Sequence, residues 1–332
     1  MKIGIMLSNF GMFGGVRRFV GLANGLVDRG HDVTFYTLGI GLENPSYFKN
    51  KAKVSHVLKF GKHGKFDALI NGDPDMTEYF LYSDRSKVNK KIVWLCAIYD
   101  PKGIVDINPS PDRWLTGKNV STLKLLNDEN AIKISASSWM TDFIKNNTGI
   151  QDIETVYGGI DFSVFHPVEG LNKFDKPTVC WSGDTRSFKV SGLMEKTARR
   201  VKAVIPNVRF ITYKGQGLNQ ENMAEFIGKC HVFADDTVLA GWHNPVIEAM
   251  ACGVPVACYD FPGVKDFAFH GATALLSPVN NSLSLSKSIV TLLKDKKLSD
   301  ILSFNALEVV KRFTWESCID RFENIIHGEI NT

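Results

Sequence analysis

No stretch of the chain approaches the roughly 20 consecutive apolar residues that a membrane span requires, so any contact with a bilayer would be peripheral. The opening MKIGIMLSNFG has one lysine and only a short apolar run before Ser8 and Asn9. That is too short for the hydrophobic region of a secretion signal and reads as a first strand. The six cysteines, Cys96, Cys180, Cys230, Cys252, Cys258 and Cys318, show no Cys-x-x-Cys or other ligand spacing and mostly sit in apolar runs. They are expected to be small core thiols in a reducing, cytoplasmic setting. There is no polybasic block either. Lys+Arg 39 against Asp+Glu 35 gives a net charge of +4, too small a bias for a nucleic-acid partner. Internal repeats and low-complexity tracts are also absent. What is present is 332 residues with 44% hydrophobic and 22% charged side chains, enough to bury one large core or two ordinary ones.

Runs rich in Val, Ile and Phe alternate with helical patterns along the chain, the signature of α/β architecture with parallel sheets. Strands are expected near 2–7, 33–38, 67–71, 91–97, 132–136 and 153–157, with helices near 15–29 and 137–146 closed by Gly30 and Gly149. Residues 163–177 carry two prolines, a glycine and mixed charge without periodicity and read as a linker. Alternation then restarts: strands at 178–183, 208–213, 231–235, 254–259 and 273–278, and helices at 192–205, 219–229 and 245–252. Helices near 282–294, 297–312 and 315–327 close the chain, the last led by Thr314 as N-cap. The economical account is two Rossmann-like domains, residues 1–168 and 169–312, followed by a C-terminal helix within 313–332.

Local chemistry is most over-determined in AGWHNPVIEAMACGVPVA (240–257). Asn244 suits an N-cap, Pro245 the first helical position, and Gly253 the left-handed residue that stops a helix after Cys252. A short helix therefore starts after a loop, with its free N–H groups and positive dipole end turned to the carboxyl ends of the strands. Doubly wound sheets bind pyrophosphate-like anions at such a place. Glu248, one turn in, either accepts hydrogen bonds from ribose hydroxyls or only complements the helix dipole. In SGDTRSFKVSG (182–192), Arg186 and Lys189 either place positive charge on a leaving phosphate or are simply solvated. In SNFGMFGGVRR (8–18), Gly14 and Gly15 permit close backbone approach to a ligand. After Gly11 the next glycines are Gly14 and Gly15, so this is not the Gly-x-Gly-x-x-Gly dinucleotide fingerprint.

Together these segments resemble the retaining glycosyltransferases of the GT-B fold, specifically glycosyltransferase family 4. The resemblance runs over nearly the whole chain: GGVRRFVGLANGLVDRGHDVTFYT (14–37), ISASSWMTDFI (134–144), VYGGIDFSVFHP (156–167), the Lys189 loop, NPVIEAMACGVPV (244–256) and PGVKDFAFHGATALLSP (262–278). It implies two Rossmann-like domains facing a cleft. The first holds mainly the acceptor, the second a nucleotide-diphosphate sugar, and the helix led by Trp315 crosses back to the first. Glu248 matches the second glutamate of the family's pair and would hold the ribose; Lys189 matches the lysine that meets the donor pyrophosphate; Gly15 matches the glycine that lets a loop approach the donor. Gly14, Gly183, His243, Asn244, Pro245 and Val246 are the other donor-side candidates.

The departures are specific. The first glutamate of the pair is Ala240, followed by Gly241, Trp242, His243 and Asn244. The arginine usual after the strand glycine is Asp184, which leaves Arg186 as a candidate substitute. A histidine usual after the fourth strand is absent, leaving Tyr99 and Asp100 as acceptor-side candidates. His243 either meets the donor, the favoured alternative, or packs beside Trp242, whereas His31 reads as structural. Asp73 and Asp75 have Asp-x-Asp spacing, but Pro74 argues for a turn, and no metal or other cofactor is expected. The expected activity is retaining transfer of a sugar to a hydroxyl of a glycan, glycolipid or lipid-linked acceptor. The alternatives are a nucleotide-sugar epimerase and a non-catalytic nucleotide-sugar-binding subunit. Basic residues gather in the first half (Arg17, Arg18, Lys49, Lys51, Lys53, Lys59, Lys62, Lys65, Lys87, Lys90, Lys91), either as a solvated face or as a surface for an anionic acceptor or membrane.

Overall fold

The computed structural model describes residues 1–11, 14–39, 49–98, 113–186 and 189–328, with side chains of 113–116 excepted. The chain forms two compact units, Met1–Gly159 with Trp315–Thr332, and Ile160–Thr314. In chain order the first contains β1 (Lys2–Met6), α1 (Gly14–Asp28), β2 (Asp32–Thr37), β3 (Lys53–His56), β4 (Phe66–Asn71), α2 (Thr77–Leu81), β5 (Val88–Leu95), α3 (Arg113–Leu126), β6 (Ala131–Ser135), α4 (Ser138–Thr148) and β7 (Ile153–Thr155). Its described strands make one parallel seven-stranded sheet, ordered β3-β2-β1-β4-β5-β6-β7. Direction of winding reverses between β1 and β4. The central strands are buried on both faces: Ile3, Ile5, Leu69, Ile70, Ile92 and Val93 have no exposed surface. Near-continuous apolar runs are what a covered parallel sheet demands.

The second unit contains β8 (Thr178–Trp181), α5 (Met194–Val204), β9 (Arg209–Thr212), α6 (Gln220–Gly228), β10 (Val232–Asp235), α7 (Asn244–Ala251), β11 (Val256–Tyr259), β12 (Leu275–Ser277), α8 (Ser282–Lys294) and α9 (Lys296–Val310). Its sheet is parallel and five-stranded, ordered β12-β11-β10-β8-β9. Here the winding reverses between β8 and β10, so the loops after those two strands rise side by side. The expected α/β class with two parallel sheets is what the chain forms.

Three differences from the sequence expectations have local causes. The strand β3 and the helices α2 and α3 were not anticipated. Lys53–His56 is an edge strand with no fully buried side chain, and RWLTGKNVSTLKLL breaks its helical pattern with Gly117 and polar residues. The division falls at 159/160, not at 168, so residues 160–168 belong to the second unit. Residues 163–177 are also not a loose tether. Phe165 is fully buried, and the Phe174 ring lies 6.3 Å from Phe226 with the Arg209 guanidinium 5.5 Å from its centroid.

Gly30 ends α1 as expected, with φ +83°. Its N–H donates to the Val27 carbonyl (2.9 Å), and the His31 N–H reaches back to the Leu26 carbonyl (3.0 Å), the paired bonds of a left-handed helix stop.

The last helix, α10 (Trp315–His327), rejoins the first unit. It packs on α1 through glycines. A Cβ on Gly21 would lie 2.2 Å from the Trp315 ring, one on Gly25 1.9 Å from Ile319, and one on Gly159 2.4 Å from Trp315 again. Phe322 stacks on Trp94 at 5.4 Å. His31, structural as expected, donates its Nε2–H to Glu323 (2.7 Å) and accepts at Nδ1 from the Met1 ammonium (3.0 Å). Gly21→Ala should therefore displace Trp315 and destabilise the protein by about 1–3 kcal/mol, the usual cost of overpacking. Urea unfolding monitored by tryptophan fluorescence measures it; an unchanged midpoint would show that Trp315 does not seat there.

Candidate functional site

The most chemically loaded place lies in the second unit, where the sheet reverses between β8 and β10. Open α/β sheets bind ligands outside the carboxyl ends of strands at such a reversal. Gly183 turns the chain off β8 with φ +74°, and a Cβ there would fall 2.1 Å from the Thr212 hydroxyl oxygen. Glycine at 183 thus has a steric reason of its own.

The segment that follows is zipped onto the one after β10. Val190 and Thr237 form an antiparallel bridge. The Val238 N–H donates to the Lys189 carbonyl (2.8 Å), and the Ser191 N–H to the Asp236 carbonyl (2.9 Å). The Asp236 carboxylate accepts from the Ser191 hydroxyl (2.9 Å) and the Leu193 N–H (3.1 Å). Burial and the neighbouring Asp235 charge push the Asp236 carboxyl up, against these hydrogen bonds. Asp236 therefore fixes the path of the loop that carries Lys189. Sequence inspection passed over Asp235, Asp236 and Ser191, although two aspartates ending the apolar strand HVFADD were a legible signal.

Within the loop, Asp184 binds both expected cations. The Arg186 Nε donates to its two carboxylate oxygens (2.9 and 3.1 Å), Arg186 also pairs through its terminal nitrogen, and the Lys189 Nζ lies 3.4 Å away. Burial would raise the Asp184 carboxyl, but the Arg186 hydrogen bonds and the two positive charges outweigh it and hold the group well below the usual carboxylate range. Lys189 is mostly buried. Burial and Arg186 lower its proton affinity, while Asp184 and Asp235 oppose them.

The His243 ring is buried, 1% exposed, with Nε2 3.1 Å from Asp235 Oδ2 and its centroid 5.1 Å from that of Phe261, the two rings nearly perpendicular. Trp242 packs on Phe267 and Phe313, each at 5.1 Å. Asp235 also accepts from the Thr237 N–H (2.8 Å). With Asp235 ionised, Nε2–H is the donor and Nδ1 the acceptor, and buried Nδ1 has no hydrogen-bond partner. Burial lowers the His243 proton affinity beyond what Asp235 restores. The ring is neutral.

Asn244 is corrected from N-cap to first helical residue. His243 takes the cap position without a side-chain cap bond, and its N–H donates to the Gly263 carbonyl (3.2 Å). Asn244, Pro245 and Val246 form the first turn of α7, whose amides have no intrahelical partner. The other end is as expected. Gly253 has φ +69°, its N–H donates to Met250, and the Val254 N–H to Ala249, both at 3.0 Å, a paired left-handed stop. Glu248 lies inside α7 and is 3% exposed. Burial and its charge push the Cys252 thiol up to about 12, so this cysteine is an inert core group.

In the first unit Gly14 and Gly15 open α1. Among the described residues, a Cβ on Gly15 would meet Cys96 alone, at an ordinary 3.6 Å, so their packing does not require glycine there. Asp73 and Asp75 lie in a turn: Asp73 accepts from the Ser8 N–H (2.7 Å) and the Asp75 N–H (3.0 Å), and Asp75 pairs with Lys118 (2.6 Å). Among the described residues no group of three or more His, Cys, Asp or Glu is placed to hold a metal ion. Tyr99 and Asp100 lie outside the described residues.

Residues 202–309 match the family described as glycosyl transferases group 1. The chain is 25% identical over 205 residues to N-acetyl-alpha-D-glucosaminyl L-malate synthase of Bacillus anthracis, covering 53% of this chain and 54% of that one. It spans from about a quarter to about half the length of the curated relatives it matches. The fold is shared with sucrose-phosphate synthase from Thermosynechococcus elongatus (TM-score 0.80, 16% identity, 99% of this chain and 98% of that one). It is shared also with Anabaena HepE, solved in complex with UDP-glucose (TM-score 0.77, 14% identity, 99% and 100%). The architecture is therefore that of GT-B glycosyltransferases.

Because the folded protein binds a proton at His243 less readily than the ordinary 6.5, the unfolded chain takes up that proton first as pH falls. This contribution to stability is complete above about pH 6.5 and is lost as pH falls through the depressed folded value. Urea midpoints at pH 7.5 and 5.5 should differ more in the wild type than in His243→Gln. Equal pH dependence in the two proteins would mean that burial does not lower the proton affinity of the folded ring.

Proposed function

We propose that this protein is a retaining, metal-independent glycosyltransferase that moves a sugar from a nucleotide-diphosphate sugar to a hydroxyl of a glycan, glycolipid or lipid-linked acceptor. The observation that carries the proposal is the convergence, at the β8/β10 reversal, of Lys189 and Arg186, on the loop that Asp236 clamps, with the loop after β10 that leads into the first turn of α7. In the reaction the bond from the anomeric carbon to the diphosphate oxygen breaks, one to the acceptor oxygen forms on the same face, and the acceptor's hydroxyl proton passes to the departing diphosphate oxygen. Negative charge grows on the departing diphosphate, and fixed cations there lower the barrier without reorganising. Buried Glu248 is assigned to the ribose, and Lys189 and Arg186 to the diphosphate. The UDP-glucose complex of Anabaena HepE supports a nucleotide-sugar ligand for this architecture, and the name of the Bacillus anthracis relative supports transfer to a hydroxyl-bearing acceptor. A donor-binding subunit without transfer is the second reading. Ala240, which puts a methyl group where the family pattern has a carboxylate, is what favours it.

Much of the basic bias in the first half is spent inside the fold. Arg18 donates to the Val156 carbonyl (3.3 Å), Lys51 pairs with Asp28 (2.6 Å), Lys53 with Asp32 (2.7 Å), and Lys91 binds the Phe80 and Leu81 carbonyls (2.8 and 2.9 Å). Lys59, Lys62 and Lys65 remain exposed around Leu58, which is 74% exposed. This segment supports an anionic acceptor or peripheral contact with an anionic membrane, at about 1 kcal/mol per basic side chain near such a surface. Vesicles containing phosphatidylserine should sediment the wild type at low salt and retain much less of a Lys59→Ala, Lys62→Ala, Lys65→Ala variant. No retention of the wild type removes the membrane from the proposal.

The transfer itself is tested by incubating the protein with a panel of nucleotide sugars, with and without acceptors, and measuring nucleoside diphosphate release. Lys189→Ala should lower turnover by about 10²–10³, the usual cost of losing one charge-stabilising donor, with its melting temperature retained. Glu248→Gln should weaken nucleotide binding by about tenfold or more, as expected for a charge-assisted hydrogen bond; calorimetry reads it. Tight nucleotide binding without release from any donor would favour the binding-subunit reading.

A further inference from the structure

Three carboxylates crowd the β8/β10 reversal, and they are used differently. Asp235 and Asp236 are satisfied by groups that build the fold: backbone amides of Thr237 and Leu193, the Ser191 hydroxyl and the His243 ring. Asp184 has a different set of partners. Apart from the Arg186 N–H (3.1 Å), which closes a local turn on Oδ1, the partners of its carboxylate among the described residues are the Arg186 guanidinium and the Lys189 ammonium. Those two side chains are the ones assigned to the diphosphate. The guanidinium grips both carboxylate oxygens as a fork, the geometry with which it also grips two oxygens of a phosphate. The arrangement is accessible from outside, since the Arg186 side chain is 39% exposed and the Asp184 side chain 10%.

We infer that Asp184 is a built-in stand-in for the donor's diphosphate, occupying the Arg186–Lys189 pair when no ligand is bound and competing with the diphosphate for it. The inference rests on the proposed nucleotide-sugar site and adds a specific role to a residue that the sequence pattern marked only as a departure. Two consequences follow from the electrostatics. Held by a carboxylate, two neighbouring cations stay oriented and do not repel each other apart in the empty site. A ligand must then release or share them, so the carboxylate weakens diphosphate binding and, after transfer, helps to expel the nucleoside diphosphate product by rebinding the cations.

Asp184→Asn separates charge from shape, because the amide oxygen still accepts the Arg186 N–H that closes the turn. Binding of UDP, GDP, ADP and inorganic pyrophosphate is measured by calorimetry at pH 6 and at pH 7.5, so that a change in Lys189 protonation on losing Asp184 shows as a difference between the two. The remaining charged groups around it, Arg186 and Asp235 with His243 beyond, are the same in both proteins. Whichever diphosphate binds the wild type should bind Asp184→Asn at least about tenfold more tightly, pyrophosphate should gain in parallel, and product inhibition by the nucleoside diphosphate should strengthen. A residue that only shapes the loop would give the opposite sign or no change. Asp184→Ser gives the same comparison if the asparagine variant fails to fold, as judged by its melting curve. Should the wild type bind a diphosphate and neither variant bind it more tightly, the stand-in role is overturned while the nucleotide-sugar site stands. If none of the proteins binds any of the four probes, the site assignment itself falls and takes this inference with it.

Discussion

A carboxylate at the end of a buried strand must be answered by donors, because an unpaired buried charge costs more than a fold of this size can spare. That constraint organises the second unit. β10 ends in Asp235 and is followed by Asp236, each 2% exposed, and the chain on either side is bent to satisfy them. Asp235 captures His243 and so fixes the approach to α7. Asp236 captures Ser191 and Leu193 and so fixes the loop after β8. Lys189 is carried on that loop, and its own carbonyl is bound by the Val238 N–H. The cations at the reversal are therefore placed by backbone and side-chain bonds that are complete without any ligand, which is the preorganisation that charge-stabilising catalysis requires.

The first unit depends on close approach more than on charge. Three glycines, Gly21, Gly25 and Gly159, make room for Trp315 and Ile319, and α10 thereby supplies Cys318, Ile319, Phe322, Ile325 and Ile326 to the core around β1. A segment distant in sequence thus completes this unit's hydrophobic core. Ion pairs at the rim, with Arg29 and His31 meeting Glu323, fix the register of α10. Exposed pairs of this kind contribute little energy of their own. The weight is borne by the apolar contacts, in keeping with ordinary interior packing.

Much of this was legible in the chain. Hydrophobic runs set the order of most strands, and left-handed glycines at 30, 149 and 253 marked helix ends where the structure has them. The Pro245 and Gly253 pairing placed α7, and the basic pair in 182–192 was singled out before its surroundings were known. These features are local: a φ value that only glycine adopts freely, or a proline in a first turn, carries its meaning within a few residues. β3, α2 and α3 escaped because half-exposed elements have weak periodicity, and 163–177 was misread because Phe165 and Phe174 bury against partners remote in sequence.

What the sequence by itself determined is the α/β class, the alternation of elements, and the types of residue available at the site: two cations, a capped helix and a glutamate within it. What only the tertiary structure decided is who pairs with whom. Nothing local shows that His243 is buried against Asp235 and Phe261, or distinguishes Asp184 as a substitution from Asp184 as the carboxylate binding Arg186 and Lys189. Those outcomes depend on the β8–β10 pairing that brings residues 189–191 beside 236–239. Hydrogen bonds and charge pairs act over a few ångströms in space, whereas the separation along the chain that the sheet bridges is some fifty residues.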